Sequence, residues 1–419
     1  MALPQTNTVV RIHPGKLADI RVEQLPTPTI EHPDDAIVKV LKAGLCGSDL
    51  HAYRGLEPFT EPYICGHELI GEVVALGSAF GQEVEGRPAL YGKLKVGDKV
   101  VSPFTCSCEE CHFCRIGFPS RCVHSLLFGS PYLPGAQAQY ARIPKAGGTL
   151  FLLPPSLPAD MPEESFMLCG DILPTGYFAA LQALGHPNVA PIIRGESYPG
   201  VMGAIVPRVQ EEGTRVIKED QKLGVAIVGL GPVGICGLVA LLDILSQANV
   251  QTYKVYAVDP VPARRAKALA ILKKMKPEEA AHVEVLDIEE AKEKVTKETV
   301  KGCDAVLEIV GNDSALVLAY DLLRPFGVIS SVGVHTSPQF PLNGDTLYTK
   351  NVSASFGRCP VRAMFPLAVD LLVRRRDVLA GVGGEEALVE RVIPMSEAVE
   401  GYEKFDSRVW GKVVFDPWA

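Results

Sequence analysis

L-G-V-A-I-V-G-L-G-P-V-G-I-C-G-L-V-A-L-L-D-I-L, residues 223–245, is almost wholly apolar. Its length alone invites a reading as a membrane span. Six glycines or prolines in its first fifteen residues argue for a different division. Residues 224–228 (G-V-A-I-V) read as a buried strand, and I-C-G-L-V-A-L-L-D-I-L reads as a helix. Between them Gly229, Gly231 and Gly234 spell G-x-G-x-x-G. The first glycine permits a tight turn, the second lets backbone approach a pyrophosphate, and the third lets helix and strand pack closely. The helix then presents its unpaired N–H groups to the phosphates, with Pro232 and Val233 inside the same turn.

Working outward toward the C-terminus, residues 254–258 form a second strand ending in Asp259. A carboxylate there accepts hydrogen bonds from both hydroxyls of an adenosine ribose and repels a 2′-phosphate, which favours NAD over NADP. Arg264 and Arg265 follow closely and leave a partner for that phosphate at hand. A basic helix is predicted over 263–276, with short apolar strands over 283–286, 305–309 and 328–332. Strands alternating with helices predict a parallel sheet covered on both faces, over 223–355. Beyond it come a strand (V-S-A-S-F, 352–356), a helix over 364–375 and a last apolar piece, G-K-V-V-F (411–415). Residues 356–419 are expected to rejoin the N-terminal domain.

Toward the N-terminus the pattern changes. Residues 8–45 alternate apolar and polar, with Pro26, Pro28 and Pro33 as punctuation, and 69–76 and 96–102 continue in the same way. These read as antiparallel strands. A loop excursion is expected over 77–95, further β structure over 124–153, and one helix over 162–184. Together they make a mainly β domain, 1–185. Residues 186–222, rich in proline, glycine and charge, read as an inserted loop with an apolar island at 201–206. Long structured loops in compact enzymes tend to be functional, so this one is expected to border a substrate cleft or a subunit contact.

Two groups of potential ligands lie in the β region. Cys108, Cys111, Cys114 and Cys122 form C-x2-C-x2-C-x7-C. Four thiolates complete a tetrahedral zinc and leave no open position, so such a site is structural. Cys106 breaks the spacing and stands outside the set. The second group opens with C-G-S-D-L-H at 46–51 and closes with G-H-E at 66–68. Cys46, His67 and Glu68 offer a thiol, an imidazole and a carboxylate, and a catalytic zinc needs three protein ligands plus one open position. Ser48 and His51 stand close by to move a proton.

The composition is that of a globular protein long enough for two or three domains. A net charge of -8 and the lack of a basic stripe argue against a nucleic-acid partner. Arg374, Arg375 and Arg376 read as a solvated helix end. The first fifteen residues hold no basic-then-apolar leader. Five of the eleven cysteines crowd into seventeen residues, which points to metal binding in a reducing compartment, the cytoplasm. No membrane partner is expected.

With these motifs in this order the chain resembles the zinc-dependent medium-chain alcohol dehydrogenases, along nearly its whole length. The resemblance implies an α/β architecture: a GroES-like, mainly β catalytic domain plus a Rossmann, doubly wound parallel-sheet cofactor domain. It implies one catalytic and one structural zinc. Asp171 takes the place of the more usual third cysteine ligand, and D-I-L-P-T-G at 171–176 is similar to the glutathione-independent formaldehyde dehydrogenase branch. Cys169 is two positions away, and two helical positions turn a side chain by about 200°. The resemblance further implies that Glu68 sits behind the metal as an intermittent ligand. Ser48, a ribose hydroxyl and His51 would relay a proton to solvent. Lys412 would lie near the pyrophosphate. Gly47 stands where relatives place a phosphate-binding arginine, and Phe104 where they place an aromatic pocket wall. Insertions fall around 78–92, 186–222 and 243–254. The implied activity is hydride transfer between an alcohol, or an aldehyde hydrate, and NAD. A reductase of an enal, aldehyde or iminium is the alternative on the same fold, and a non-catalytic nucleotide-binding protein the alternative from another class. The implied assembly is a homodimer or homotetramer.

Overall fold

A computed structural model describes residues 3–14, 16–154, 157–158, 160–198, 200–202, 217–384 and 386–419. The chain divides into two compact units, Met1–Pro174 with Pro360–Ala419, and Thr175–Cys359. The first passage between them thus falls inside the helix Ile172–Leu184, ahead of the boundary expected at 185.

The first unit is built on the long strand Ala36–Leu45. One neighbour is Leu69–Leu76, antiparallel, with register shifts between Ile37 and Val38 and between Val40 and Lys42. This register sets Leu69 opposite Ala43, and a backbone hydrogen bond joins Gly44 N–H to Glu68 O at 3.0 Å. The segments carrying Cys46 and His67–Glu68 therefore leave the sheet side by side. On the other side lies Lys412–Asp416, antiparallel, with Val413 opposite Leu45. Lys412–Asp416 in turn pairs parallel with Val389–Pro394, a strand the sequence reading did not include. Lys99–Ser102, Phe151–Leu152 and Tyr140–Ile143 complete this seven-stranded sheet, and Ile20–Pro26, Thr6–Ile12 and Tyr63–Ile64 make a smaller one. Val38, Val40, Leu69, Val73 and Val100 fill the interior of the larger sheet.

Two expectations for this unit need correction. The excursion over 77–95 contains a short helix, Leu90–Lys93, whose Tyr91 is buried beneath Arg87. The single helix expected over 162–184 is broken. Glu163–Met167 runs into a 3-10 turn, Leu168–Gly170, and the chain then leaves helical geometry at Asp171 (φ -149°, ψ -78°). The turn packs tightly on the sheet: a Cβ on Gly170 would lie 2.4 Å from the Ser102 carbonyl, so only glycine lets the chain pass so close.

The second unit is a six-stranded parallel sheet. Its order is Val283–Leu286, Tyr253–Val258, Leu223–Val228, Cys303–Glu308, Leu323–Ser331, Ser353–Phe356, or 3-2-1-4-5-6 in chain order. Leu223–Val228 and Cys303–Glu308 are buried at every position, as a sheet covered on both faces requires. The apolar run over 223–245 is thus a buried strand and the buried helix Pro232–Gln247. No described helix is long and apolar enough to cross a membrane. The segment 186–222 holds a short helix, Ala190–Arg194, and the 3-10 turns Gly200–Met202 and Lys218–Gln221. Its start is stitched to the cofactor sheet: Asn188 O accepts from Arg324 Nη2 at 3.2 Å, and Asn188 Nδ2 donates to Ser353 Oγ at 3.3 Å. Most of the apolar island over 201–206 lies outside the described residues.

Leu316, fully buried in the second unit's core, tests the independence of the two units. Leu316→Ala should cost about 2–5 kcal/mol of that unit's stability in denaturant unfolding, while the metal content of the folded protein stays unchanged.

Candidate active site

Cys46, His67 and Asp171 come from three distant segments, yet their donor atoms lie within 4.8 Å of one another, all buried. Cys46 Sγ is 3.3 Å and His67 Nε2 is 3.5 Å from Asp171 Oδ2. Asp49, which the sequence reading passed over, organises two of the three. Its carboxylate accepts from the Cys46 amide at 2.9 Å and the Gly66 amide at 3.3 Å, and lies 3.5 Å from His67 Nδ1. A carboxylate on one imidazole nitrogen fixes the tautomer and aims the other nitrogen as a ligand. Its place three residues after Cys46, from which a carboxylate can reach back to an amide as in a capping box, was the available clue.

The electrostatics are those of a donor set built for a cation. Burial and the Asp171 carboxylate push the Cys46 thiol up. Burial opposes charge on His67, but Asp49 and Asp171 outweigh it and hold the imidazole well above its ordinary range. A metal displaces such protons when it binds, which couples its affinity to pH. One sulfur, one nitrogen and one oxygen with a fourth position open fit catalytic zinc.

Glu68 lies behind this set, fully buried, with Oε1 unpartnered and Oε2 against Lys412 Nζ. Lys412 Nζ also donates to Leu45 O at 3.0 Å. Lys412 is 1% exposed and held against Glu68, because its strand lies beside Leu45 in the interior of the first unit. Gly44 makes room for the pair, since a Cβ there would sit 1.7 Å from Glu68 Oε2. Cys169 is buried and stands outside the ligand group.

Ser48 and His51 share the first turn of the helix Asp49–Tyr53, Ser48 exposed at its start and His51 half-buried. Burial and Arg54 hold His51 below the ordinary histidine range, so it is neutral and able to accept a proton at neutral pH. Gly47 is exposed with open space around it, and Phe104 is buried.

The four cysteines also converge. Cys108, Cys111, Cys114 and Cys122 lie within 4.8 Å of one another, with sulfur separations of 3.5 Å for Cys111–Cys114 and Cys108–Cys122. Amides of Glu110 and Cys111 point at Cys108 Sγ, and those of Cys108 and His124 at Cys122 Sγ, at 3.3–3.4 Å. Hydrogen bonds of this kind favour thiolate over thiol. Cys106 instead contacts His124 O and the Leu126 amide.

In the second unit, Gly229 has φ +100° and a Cβ on Gly234 would lie 1.9 Å from Gly229 O, so both positions require glycine. Gly231 caps the helix Pro232–Gln247, with Pro232 in its first turn followed by Val233. Asp259 follows the second strand, Tyr253–Val258. It is 1% exposed, and its oxygens already accept from the Leu230 and Val261 amides at 2.8 Å each. The carboxylate thus ties the glycine turn at Leu230 to the start of the following loop at Val261. Arg264, 40% exposed, reaches its Oδ2 at 3.5 Å, and its guanidinium carbon would be 3.9 Å from a Cβ on Gly231. Arg264 is therefore the group at the surface beside the turn.

Residues 32–155 match the alcohol dehydrogenase GroES-like domain family and residues 239–374 the zinc-binding dehydrogenase family. The chain is 37% identical to zinc-type alcohol dehydrogenase B of Aspergillus flavus, over 94% of this chain and 78% of that protein. It is 27% identical to a glutathione-independent formaldehyde dehydrogenase of Pseudomonas aeruginosa, over 98% and 97% of the two. Its fold superimposes on alcohol dehydrogenase TADH from Thermus sp. ATN1 with a TM-score of 0.72 at 28% identity, covering 98% of this chain and 99% of that one. The chain belongs to the zinc-type alcohol dehydrogenase family of medium-chain dehydrogenases, and it is a zinc-dependent oxidoreductase.

Metal analysis of the purified protein should give two zinc ions per chain, and Cys108→Ser should lower this to one. Normal folding of Cys108→Ser with unchanged zinc would remove the four-cysteine assignment. Asp259→Ala should lower dinucleotide affinity and melting temperature together, by about 1–3 kcal/mol in stability, because two buried amides lose their acceptor. Weaker binding with an unchanged melting temperature would mean that the carboxylate serves the ribose alone.

Proposed function

We propose that Cys46, His67 and Asp171 hold the catalytic zinc, with Glu68 as an intermittent fourth donor, and that Cys108, Cys111, Cys114 and Cys122 hold the structural one. The observation that carries this reading is the convergence of three different buried donors from three distant segments. The substrate is a small alcohol, or an aldehyde in its hydrated form, and NAD the preferred partner. The turn at Gly229, Gly231, Pro232, Val233 and Gly234 cradles the pyrophosphate. Asp259 and Arg264 sit on its adenosine side, where Arg264 also leaves NADP a phosphate partner. Zinc and an oxidised nicotinamide supply Lewis acidity and a hydride acceptor.

The chain's own residues do the rest. Asp49 keeps His67 aimed through Nε2. The buried pair of Glu68 and Lys412 excludes water behind the ligands. Ser48 would take the proton leaving the substrate hydroxyl, and His51, neutral at neutral pH, would pass a proton to solvent. The net charge argues against nucleic acid, and eleven free cysteines suit a reducing cytoplasm. The strand Ser353–Phe356 ends its sheet with one edge unpaired among the described residues. Such an edge suits pairing with a second copy, as a homodimer or homotetramer requires.

A panel of alcohols and aldehydes, each with NAD and NADP, tests the reading through absorbance of the reduced nicotinamide. His51→Gln should slow alcohol oxidation about ten- to hundredfold near neutral pH. Because His51 stays neutral to below the ordinary histidine range, wild-type activity should persist into mildly acidic buffer. The deficit of the variant should shrink in alkaline buffer, where solvent takes the proton. A profile identical to wild type would take His51 out of the relay.

A further inference from the structure

Glu308, Ser331 and His335 form a second polar cluster, wholly inside the second unit. Glu308 ends the strand Cys303–Glu308 and has no exposure. Its Oε1 accepts from the Val310 and Gly311 amides at 2.8 Å each, and its Oε2 from Ser331 Oγ at 2.7 Å. His335 Nε2 stands 3.2 Å from the same Oε2 and 2.9 Å from Ser331 Oγ. The loops after the two strands also touch through backbone. A Cβ on Gly311 (φ +80°) would be 2.4 Å from Val334 N, and one on Gly333 would be 2.2 Å from Gly311 N. One buried carboxylate and a glycine-on-glycine contact thus bind the two loops together. This is no nucleophilic triad: serine and carboxylate share one ring nitrogen, where a triad uses opposite nitrogens.

The position of this clamp gives it a use. Ligands of open α/β sheets bind outside the carboxyl ends of the strands, where the strand order reverses. That point lies between Leu223–Val228 and Cys303–Glu308. The glycine turn and Asp259 follow the first and second strands and serve the adenosine half. The other mononucleotide falls to the fourth, fifth and sixth strands, where Val310 and Val334 stand exposed in the clamped loops and His335 keeps 23% of its side chain open. We propose that His335, held by Glu308 and Ser331, is a positioning residue for the nicotinamide half of the dinucleotide. Its imidazolium locks the loops over 309–312 and 332–335 in the arrangement that receives the ring. The proposal rests on dinucleotide binding by the second unit.

The charged groups acting on His335 are Glu308, from its strand, and Asp313, from the helix Asp313–Leu322, which also accepts from Ser337 Oγ. From the sixth strand it meets only the uncharged ring of Phe356, edge-on at 5.4 Å. Glu308 lifts His335 above the ordinary histidine range against the effect of burial. The charged clamp is thus complete at low pH and is lost as pH rises through that raised value.

The test is NADH titration of the zinc-loaded protein from about pH 6 to about pH 9, a span that starts near the ordinary histidine value and runs above it. Wild-type Kd for NADH should rise about two- to fivefold across it, the size of a partly exposed ion pair. His335→Gln should flatten this dependence. Ser331→Ala, which keeps the imidazolium, should retain it and serves if His335→Gln folds poorly. ADP-ribose, which lacks nicotinamide, should bind without the dependence. The same profile for His335→Gln as for wild type, loss of the profile in Ser331→Ala, or an equal dependence for ADP-ribose, overturns the proposal while leaving dinucleotide binding intact. Failure of wild type to bind NADH at any pH overturns dinucleotide binding itself, and the proposal with it.

Discussion

The buried pair of Glu68 and Lys412 is the constraint on which the first unit's site depends. Two charges without solvent are costly, and their attraction repays the cost only when geometry and further hydrogen bonds are good. Here Lys412 also donates to Leu45 O, one residue before Cys46. The pair therefore locates the ligand segment while neutralising a carboxylate next to a cation-binding set. Removing one member would strand the other charge in the interior, a loss of about 3–5 kcal/mol. Much of the surrounding architecture serves this arrangement. Gly44 has no side chain because Glu68 occupies its space, and the paired strands Ala36–Leu45 and Lys412–Asp416 bring together residues 367 positions apart.

How much of this was legible in the sequence follows from how local each interaction is. The glycine turn is local: strand, three glycines and helix are contiguous, and their order alone predicted a parallel sheet. The four cysteines are local as well, and their spacing specified a closed tetrahedron. The contact of Lys412 with Glu68 was not legible because it depends on which strand Lys412 pairs with, and nothing near residue 412 encodes that. The strand Val389–Pro394 escaped for the same reason, since its alternation is broken by Glu390 and Arg391 and it is defined by its partner. Asp49 was missed although it stands within C-G-S-D-L-H, because its neighbours there drew the reading toward metal and proton.

Asp259 shows a different limit. Its place at the end of the second strand was read correctly, but a carboxylate in that place can serve either ligand or backbone. In this chain it accepts two amides and leaves Arg264 at the surface. An inward acid and an outward base thus stand on neighbouring turns. Sequence spacing reports that both are present and says nothing of which one faces out. Glu308 does the same kind of work on the other half of the sheet, so both mononucleotide halves use a buried acid at a strand end to set the loops above it.

That Asp171 rather than Cys169 joins the Cys46–His67 cluster shows electrostatics and backbone acting together. Both residues are buried and two positions apart. The Cys169 thiol is pushed far up by burial, with no neighbouring charge to offset it. Asp171 suffers the same burial, but His67 and Lys412 more than offset it and hold its carboxyl below the ordinary range. Of the two, only Asp171 is an anion where a cation needs one. The backbone leaves helical geometry at Asp171, whose carboxylate lies 3.3 Å from Cys46 Sγ and 3.5 Å from His67 Nε2. Replacing a thiolate by a carboxylate keeps the ligand charge and gives the metal a harder neighbour. In the reading proposed above, the exchange would preserve the charge of the site while altering its softness, with His67 and Lys412 holding the Asp171 carboxyl ionised.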